Sequence, residues 1–246
     1  MSVKYIYVII LSCYLAGCVD DDEPSDDIKT SKMYAEFEVV TDIKYGYSEV
    51  FSRIREKNES GKYIRLGKQD TFWAERNGER KELLPAALVL GSSSSYSESF
   101  EGVAENTVFS ISLNRQNHTD ATNSMATLPA PFEIDFPSNS STLQRGSDIT
   151  FIWTPGQPGW TMEIHTRIFC DNGVDGETIF EFEDVDGIGV LNPEEHSPPS
   201  VLEYDGDCSF YLTFSRINEG TVDANFAGGY FKAIQRREIH ITTTGG

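Results

Sequence analysis

The sequence predicts an all-β fold made of two tandem antiparallel β-sandwiches. Three observations predict it. Apolar and polar residues alternate at period two along most of the chain, as in Ala35-Phe37-Val39, Phe109-Ile111-Leu113, Phe132-Ile134-Phe136 and Phe210-Leu212-Phe214. Such alternation marks strands with one face on a core. No long segment carries a helical period. The short apolar runs are separated by Gly, Pro, Asn and Ser clusters, and Asn77-Gly78 is a tight-turn signal between two of them.

The first element is an address. Lys4 precedes an apolar run from Tyr5 to Ala16, well short of the ~20 residues that span a bilayer, so residues 1–17 read as a signal peptide. The run ends in Leu15-Ala16-Gly17-Cys18, which resembles the lipobox of bacterial lipoproteins. The resemblance implies cleavage before Cys18 and acylation (palmitate) of that residue, hence a membrane partner and a lipid-anchored place in the bacterial cell envelope. Val19 rather than Asp at the second mature position favours the outer membrane in that class. Residues 18–32 follow, with Asp20, Asp21, Asp22, Glu23, Asp26 and Asp27 beside Pro24 and Ser25. Like charge keeps such a block extended, and it lacks the apolar surface to offset ordering, so it reads as a disordered acidic tether.

Two prolines in Leu128-Pro129-Ala130-Pro131 break the ladder pattern and place a boundary there. Residues 33–128 and 129–246 then each have the length of an immunoglobulin-like sandwich. Charge divides unevenly between them. The whole chain is net −19; residues 33–128 hold 14 acids and 11 bases, whereas 129–246 hold 19 acids and 6 bases, a net of −13. Such acidity argues against nucleic acid as a partner. It also places a negative field on the second half that repels anionic headgroups. The run Leu128-Pro129-Ala130-Pro131-Phe132, then Ile149-Thr150-Phe151-Ile152-Trp153, Asp223-Ala224-Asn225-Phe226-Ala227-Gly228-Gly229 and Ala233-Ile234-Gln235-Arg236-Arg237 is similar to a family of bacterial envelope lipoproteins with two β domains and no assigned activity. That resemblance implies fold and address and carries no catalytic residue.

The chain has four cysteines. With Cys13 removed in the signal and Cys18 acylated, Cys170 and Cys208 remain in an oxidising compartment. Cys170 is in phase with Met162, Ile164 and Ile168, and Cys208 with Phe210 and Leu212. Both face the second core and are expected to form a disulfide, which in the chain-entropy model contributes about 4 kcal/mol; two buried free thiols are the alternative. Neither CxxC nor close His-Cys spacing suggests zinc.

Nucleophile elbows, HExxH, P-loops and Rossmann glycines are missing from the sequence. His165 and His240 are expected on outward strand faces, where a metal-dependent hydrolase would need them to meet carboxylates. Asp171 and Asp175, Asp184 and Asp186, and Asp205 and Asp207 lie in Gly-punctuated loops that offer oxygen ligands suited to calcium; ordinary turn chemistry explains the same residues. Trp153, in phase with Phe151, is expected in the core. Trp160, in a Pro-Gly loop, is a candidate aromatic contact for a sugar or protein, or else a ring tucked against the sheet. One of Arg236 and Arg237 is expected to pack on a carboxylate and close the last strands. Together these point to a non-catalytic binding or scaffold protein of the envelope with a protein or glycan partner. The alternative is a carbohydrate-binding or adhesive module, and no cofactor other than calcium is expected.

Overall fold

A computed structural model of the chain describes residues 23–42, 44–86, 94–102, 104–144, 146–173, 175–192 and 204–244. The expected signal peptide, Cys18 and the start of the expected tether lie outside the described residues. The first half carries β1 (Glu23–Pro24), β2 (Met33–Asp42), β3 (Tyr47–Glu56), β4 (Ile64–Arg65), β5 (Thr71–Arg76), β6 (Glu79–Glu82), β7 (Leu84–Pro85), β8 (Tyr96–Glu101), β9 (Val108–Asn114) and β10 (Ala121–Thr127). The second carries β11 (Ile134–Phe136), β12 (Thr142–Gln144), β13 (Ile149–Trp153), β14 (Thr161–Cys170), β15 (Asp175–Glu183), β16 (Ile188–Leu191), β17 (Cys208–Glu219) and β18 (Gly228–Thr244). The fold is all-β, as the alternation predicts. Asn77 and Gly78, at φ 52° and 83°, make the tight turn between β5 and β6.

A long mixed sheet runs through both halves in the order β15-β14-β17-β18-β2-β3-β8-β7, with β12 added beside the end of β18. Two smaller sheets, β10-β9-β5-β6 and β11-β13-β16, complete the sandwiches. Phe231 and Ala233 of β18 enter the first core and Ile241 enters the second. The three share strand parity, so both small sheets cover the same face of the long one. The first core centres on Phe37, whose ring meets Phe72, Phe226 and Phe231 edge-on at 5.9, 5.8 and 5.7 Å. The second is built from Phe151, Trp153, Met162, Ile164, Leu212 and Phe214.

The expected boundary after Leu128 is crossed by the last strand. β18 is 17 residues long, more than one sandwich needs. Its Gly228–Arg236 stretch pairs in parallel with Tyr34–Asp42 of β2, while Lys232–Thr243 pairs antiparallel with β17. Phe226, Phe231 and Ala233, expected in the second half, therefore complete the first core. The ladders are antiparallel except at this joint and at the pairs β12–β18 and β1–β4.

Two further expectations are corrected. From Glu23 onward the tether is docked: β1 pairs with β4, and Ser25 and Thr30 are buried in two short 3₁₀ turns. The reason is Arg115, whose guanidinium lies under the segment. It pairs with Asp70 at 3.0 Å and donates to the carbonyls of Ser25 (2.6 Å) and Ile28 (2.7 Å), while Ser25 Oγ donates to Asp70 at 2.6 Å. Phe136, expected inward with Phe132 and Ile134, faces solvent because the register of β11 against β13 shifts between Ile134 and Phe136.

Candidate binding surfaces and the joint between the sandwiches

Two of the motifs that carried the family resemblance, residues 128–132 and 233–237, meet in space at the joint. Leu128 is in the first core and Phe132 in the second. The chain between them is held by its carbonyls: Gln235 Nε2 donates to Pro129 O at 3.1 Å, and Arg216 Nη1 donates to Ala130 O at 3.0 Å. The loop after β17 reaches back into the first sandwich. In β10 the register shifts between Ala121 and Ser124, which takes Thr122 and Asn123 out of the ladder. Asp223 Oδ2 accepts both of their N–H groups at 2.8 Å, and Oδ1 accepts that of Asn225 at 2.8 Å. Burial opposes ionisation of Asp223. The backbone N–H groups of Asn225, Asn123 and Thr122 outweigh it and hold the carboxyl below the usual carboxylate range.

Arg216 is the residue that sequence reading missed. Its guanidinium and the Asp184 carboxylate form an ion pair at 2.7 Å, their side chains 1% and 0% exposed. Trp153 Nε1 donates to Asp184 Oδ1 at 2.9 Å, Arg216 also donates to the Thr154 carbonyl, and its guanidinium lies 4.9 Å from the Phe132 ring centre. Gly156 makes room for the pair, because a Cβ there would lie 1.7 Å from Asp184 Oδ2. Burial pushes the Asp184 carboxyl up, against the pull of Arg216 and the Trp153 indole. The cluster ties the linker, the end of β13, the 184–186 turn and β17 into one block. A charge in phase with Phe210, Leu212 and Phe214 was the signal for it.

The expected calcium residues do not assemble. Asp184 is taken by Arg216; Asp186 is exposed in the same turn. Asp171 and Asp207 meet through the Asp171 N–H and the Asp207 carbonyl at 3.4 Å, with Asp175 and Asp205 on neighbouring turns and strand ends. Among the described residues, no three of His, Cys, Asp and Glu gather to hold a metal ion. His165 and His240 sit on β14 and β18 with β17 between them. His165 contacts Glu177, and the His240 ring lies tilted against Tyr211 with ring centres 4.8 Å apart. Trp160 is only 8% exposed, folded against the Arg216 cluster with ring centre and guanidinium 5.9 Å apart, so it offers no face to a ligand. Arg237 is the member of its pair that meets a carboxylate, donating to Glu133 at 2.5 Å, but the contact is at the surface.

Cys170 and Cys208 form the disulfide. They are direct partners on β14 and β17, with Cα atoms 4.1 Å apart, so the bridge joins neighbouring strands of the long sheet at the edge of the second core.

Two surfaces of the second sandwich are apolar and open. On the outer face of the long sheet, Phe169, Ile179 and Tyr211 are 42%, 57% and 49% exposed, and the Phe169 and Tyr211 rings meet edge-on at 5.8 Å. On the outer face of the small sheet, Phe136, Ile152, Ile188 and Val190 are 40%, 38%, 49% and 52% exposed. Elsewhere a polar cleft of about 720 Å³, lined in part by Lys29, Asn117, His118 and Asn225, lies where the docked segment meets the first sandwich. It holds none of the candidate calcium residues, nor His165, His240 or a tryptophan, and from the quoted motifs only Ala224 and Asn225.

No family model and no curated protein matches the chain. Solved structures with which it aligns include the FN1–FN3 domains of chicken CNTN1, at 10% identity over 91% of this chain and 69% of that one, TM-score 0.29. A chimeric titin Z1Z2 aligns at 14% identity over 89% and 99%, TM-score 0.24. A tetra-tandem repeat from the extending region of a large adhesion protein aligns at 13% identity over 85% and 50%, TM-score 0.23. At such scores the sandwich architecture stands on this chain's own strand pairing, and what those proteins do says nothing of this one.

Proposed function

We propose that the chain is a lipid-anchored protein of the bacterial envelope, attached through Cys18 to the outer membrane, with a non-catalytic binding or scaffold role. The observation that carries the binding role is the placement of exposed apolar side chains. Seven of the eight large exposed ones in the described second half lie on the two outer faces of the sandwich, three on one and four on the other. Contiguous exposed apolar surface marks interaction sites. The buried charged side chains Arg115, Asp70, Arg216, Asp184 and Asp223 are engaged in holding segments together. The anchor rests on the lipobox. Its test is incorporation of labelled palmitate, expected in the wild type and absent in Cys18→Ser; equal labelling of both overturns the anchor. Crosslinked pull-down of the lipidated protein from its own envelope tests the role, with a discrete protein partner as the expected result.

The second reading, a carbohydrate-binding or adhesive module, is favoured by the Phe169-Tyr211-His240 cluster on the outer face of the long sheet, since aromatic rings stack on sugar faces. A glycan array decides between the two: hits lost in Tyr211→Ala support the glycan reading, and an array without hits removes it.

A further inference from the structure

The three-stranded sheet β11-β13-β16 is apolar on both sides. Its inner face supplies Ile149, Phe151, Trp153 and Leu191 to the second core. On the outer face Phe136, Ile152 and Ile188 are direct cross-strand partners in one row, and Val190 stands opposite Thr150 in the next. Directly opposed side chains have Cβ atoms about 5 Å apart, so these four form one patch. The second face of an antiparallel sheet is commonly polar, so an apolar one marks an interaction surface.

The charges around the patch state what covers it. Asp135 precedes Phe136, Asp148 lies two residues before Thr150, and Asp186 two before Ile188; all three are exposed. No lysine or arginine occurs in the three strands. A second copy would bring the same carboxylates and another half of net −13 against them, which opposes self-association. Anionic headgroups are opposed for the same reason. The outer strands of a three-stranded sheet are about 10 Å apart, the diameter of one α-helix.

We propose that this face docks a basic amphipathic helix of a protein partner, its apolar stripe on Phe136, Ile152, Ile188 and Val190 and its lysines or arginines over Asp135, Asp148 and Asp186. The inference rests on the binding role proposed above and deepens it.

The test uses the mature full chain and two synthetic helical peptides with the same apolar stripe, one flanked by lysine and one by glutamate, with binding read by fluorescence anisotropy. The lysine peptide is expected to bind, to weaken as salt rises, and to bind at least about tenfold more weakly to the charge-neutral double variant I152S/I188S, since each large side chain removed from a buried contact costs a factor of that order. Both positions are exposed, so an unchanged melting temperature verifies the fold of the variant. Equal binding of the two peptides, no binding of either, or unchanged binding to I152S/I188S overturns the proposal. So does loss of binding in I179S/Y211S, on the other face, in place of I152S/I188S. A protein partner recovered from the envelope whose crosslinks map to Ile179 or Tyr211 would overturn this site while leaving the binding role intact.

Discussion

At the scale of single residues, the chemistry of this chain is spent on buried charge. Arg216 and Asp184 are each stranded if the other is removed, so Arg216→Met should lower the unfolding free energy by about 3–5 kcal/mol, read from the urea midpoint. Adding Asp184→Leu to it should recover part of the loss, because no charge then remains buried alone. Asp223 gives a pH signature. Its carboxyl is lowered in the folded state, so its contribution is complete above the ordinary carboxylate range and is lost as pH falls through the folded value. The urea midpoint should drop below about pH 4, and Asp223→Asn should show a shallower drop. Residue roles were the least legible part of the sequence. Asp184 looks like a loop ligand beside Asp186 and Gly187, and only its burial against Arg216 reveals a structural pair. Trp160 looks like an exposed loop ring for the same reason: a Pro-Gly segment does not show what it folds onto.

At the scale of elements, strands were legible where alternation was strict and illegible where a partner set the outcome. β9 follows its alternation throughout and β17 as far as Phe214. Phe136 does not, because a shift in register turns it outward. The docked segment 23–32 looked like a tether because its local composition is acidic, while the residue that holds it, Arg115, lies 87 positions beyond Ile28. Arg115→Met should release it, and limited trypsin digestion should then cut after Lys29 and Lys32 markedly faster than in the wild type. At Gly229 there is no room for a side chain beside β2: its φ is 144°, and an added Cβ would lie 2.1 Å from the Ala35 carbonyl oxygen. Gly229→Ala should weaken this parallel pairing, seen as faster amide exchange along β2 than in the wild type, with β14 changed less.

At the scale of the whole molecule, the long sheet makes the two sandwiches one mechanical body. β18 lends its first half to one core and its second to the other, so neither can lose it alone. Urea unfolding of the wild type, followed at amides of β9 in the first sandwich and β13 in the second, should therefore give coincident midpoints, and two separated transitions would contradict the shared strand. Reduction of Cys170–Cys208, which closes a sequence separation of 38, should lower both midpoints together, by about 2–5 kcal/mol in unfolding free energy. The sequence by itself determined the β class, the charge division and the pairing of the last two cysteines, because each depends on local period or composition. Tertiary structure alone decided that the acidic segment docks, that the last strand joins both cores, that Asp184 belongs to Arg216, and that the small sheet keeps an apolar outer face. Those outcomes depend on groups far apart in the chain, and an alternating pattern names the faces of a strand without naming what each face will meet.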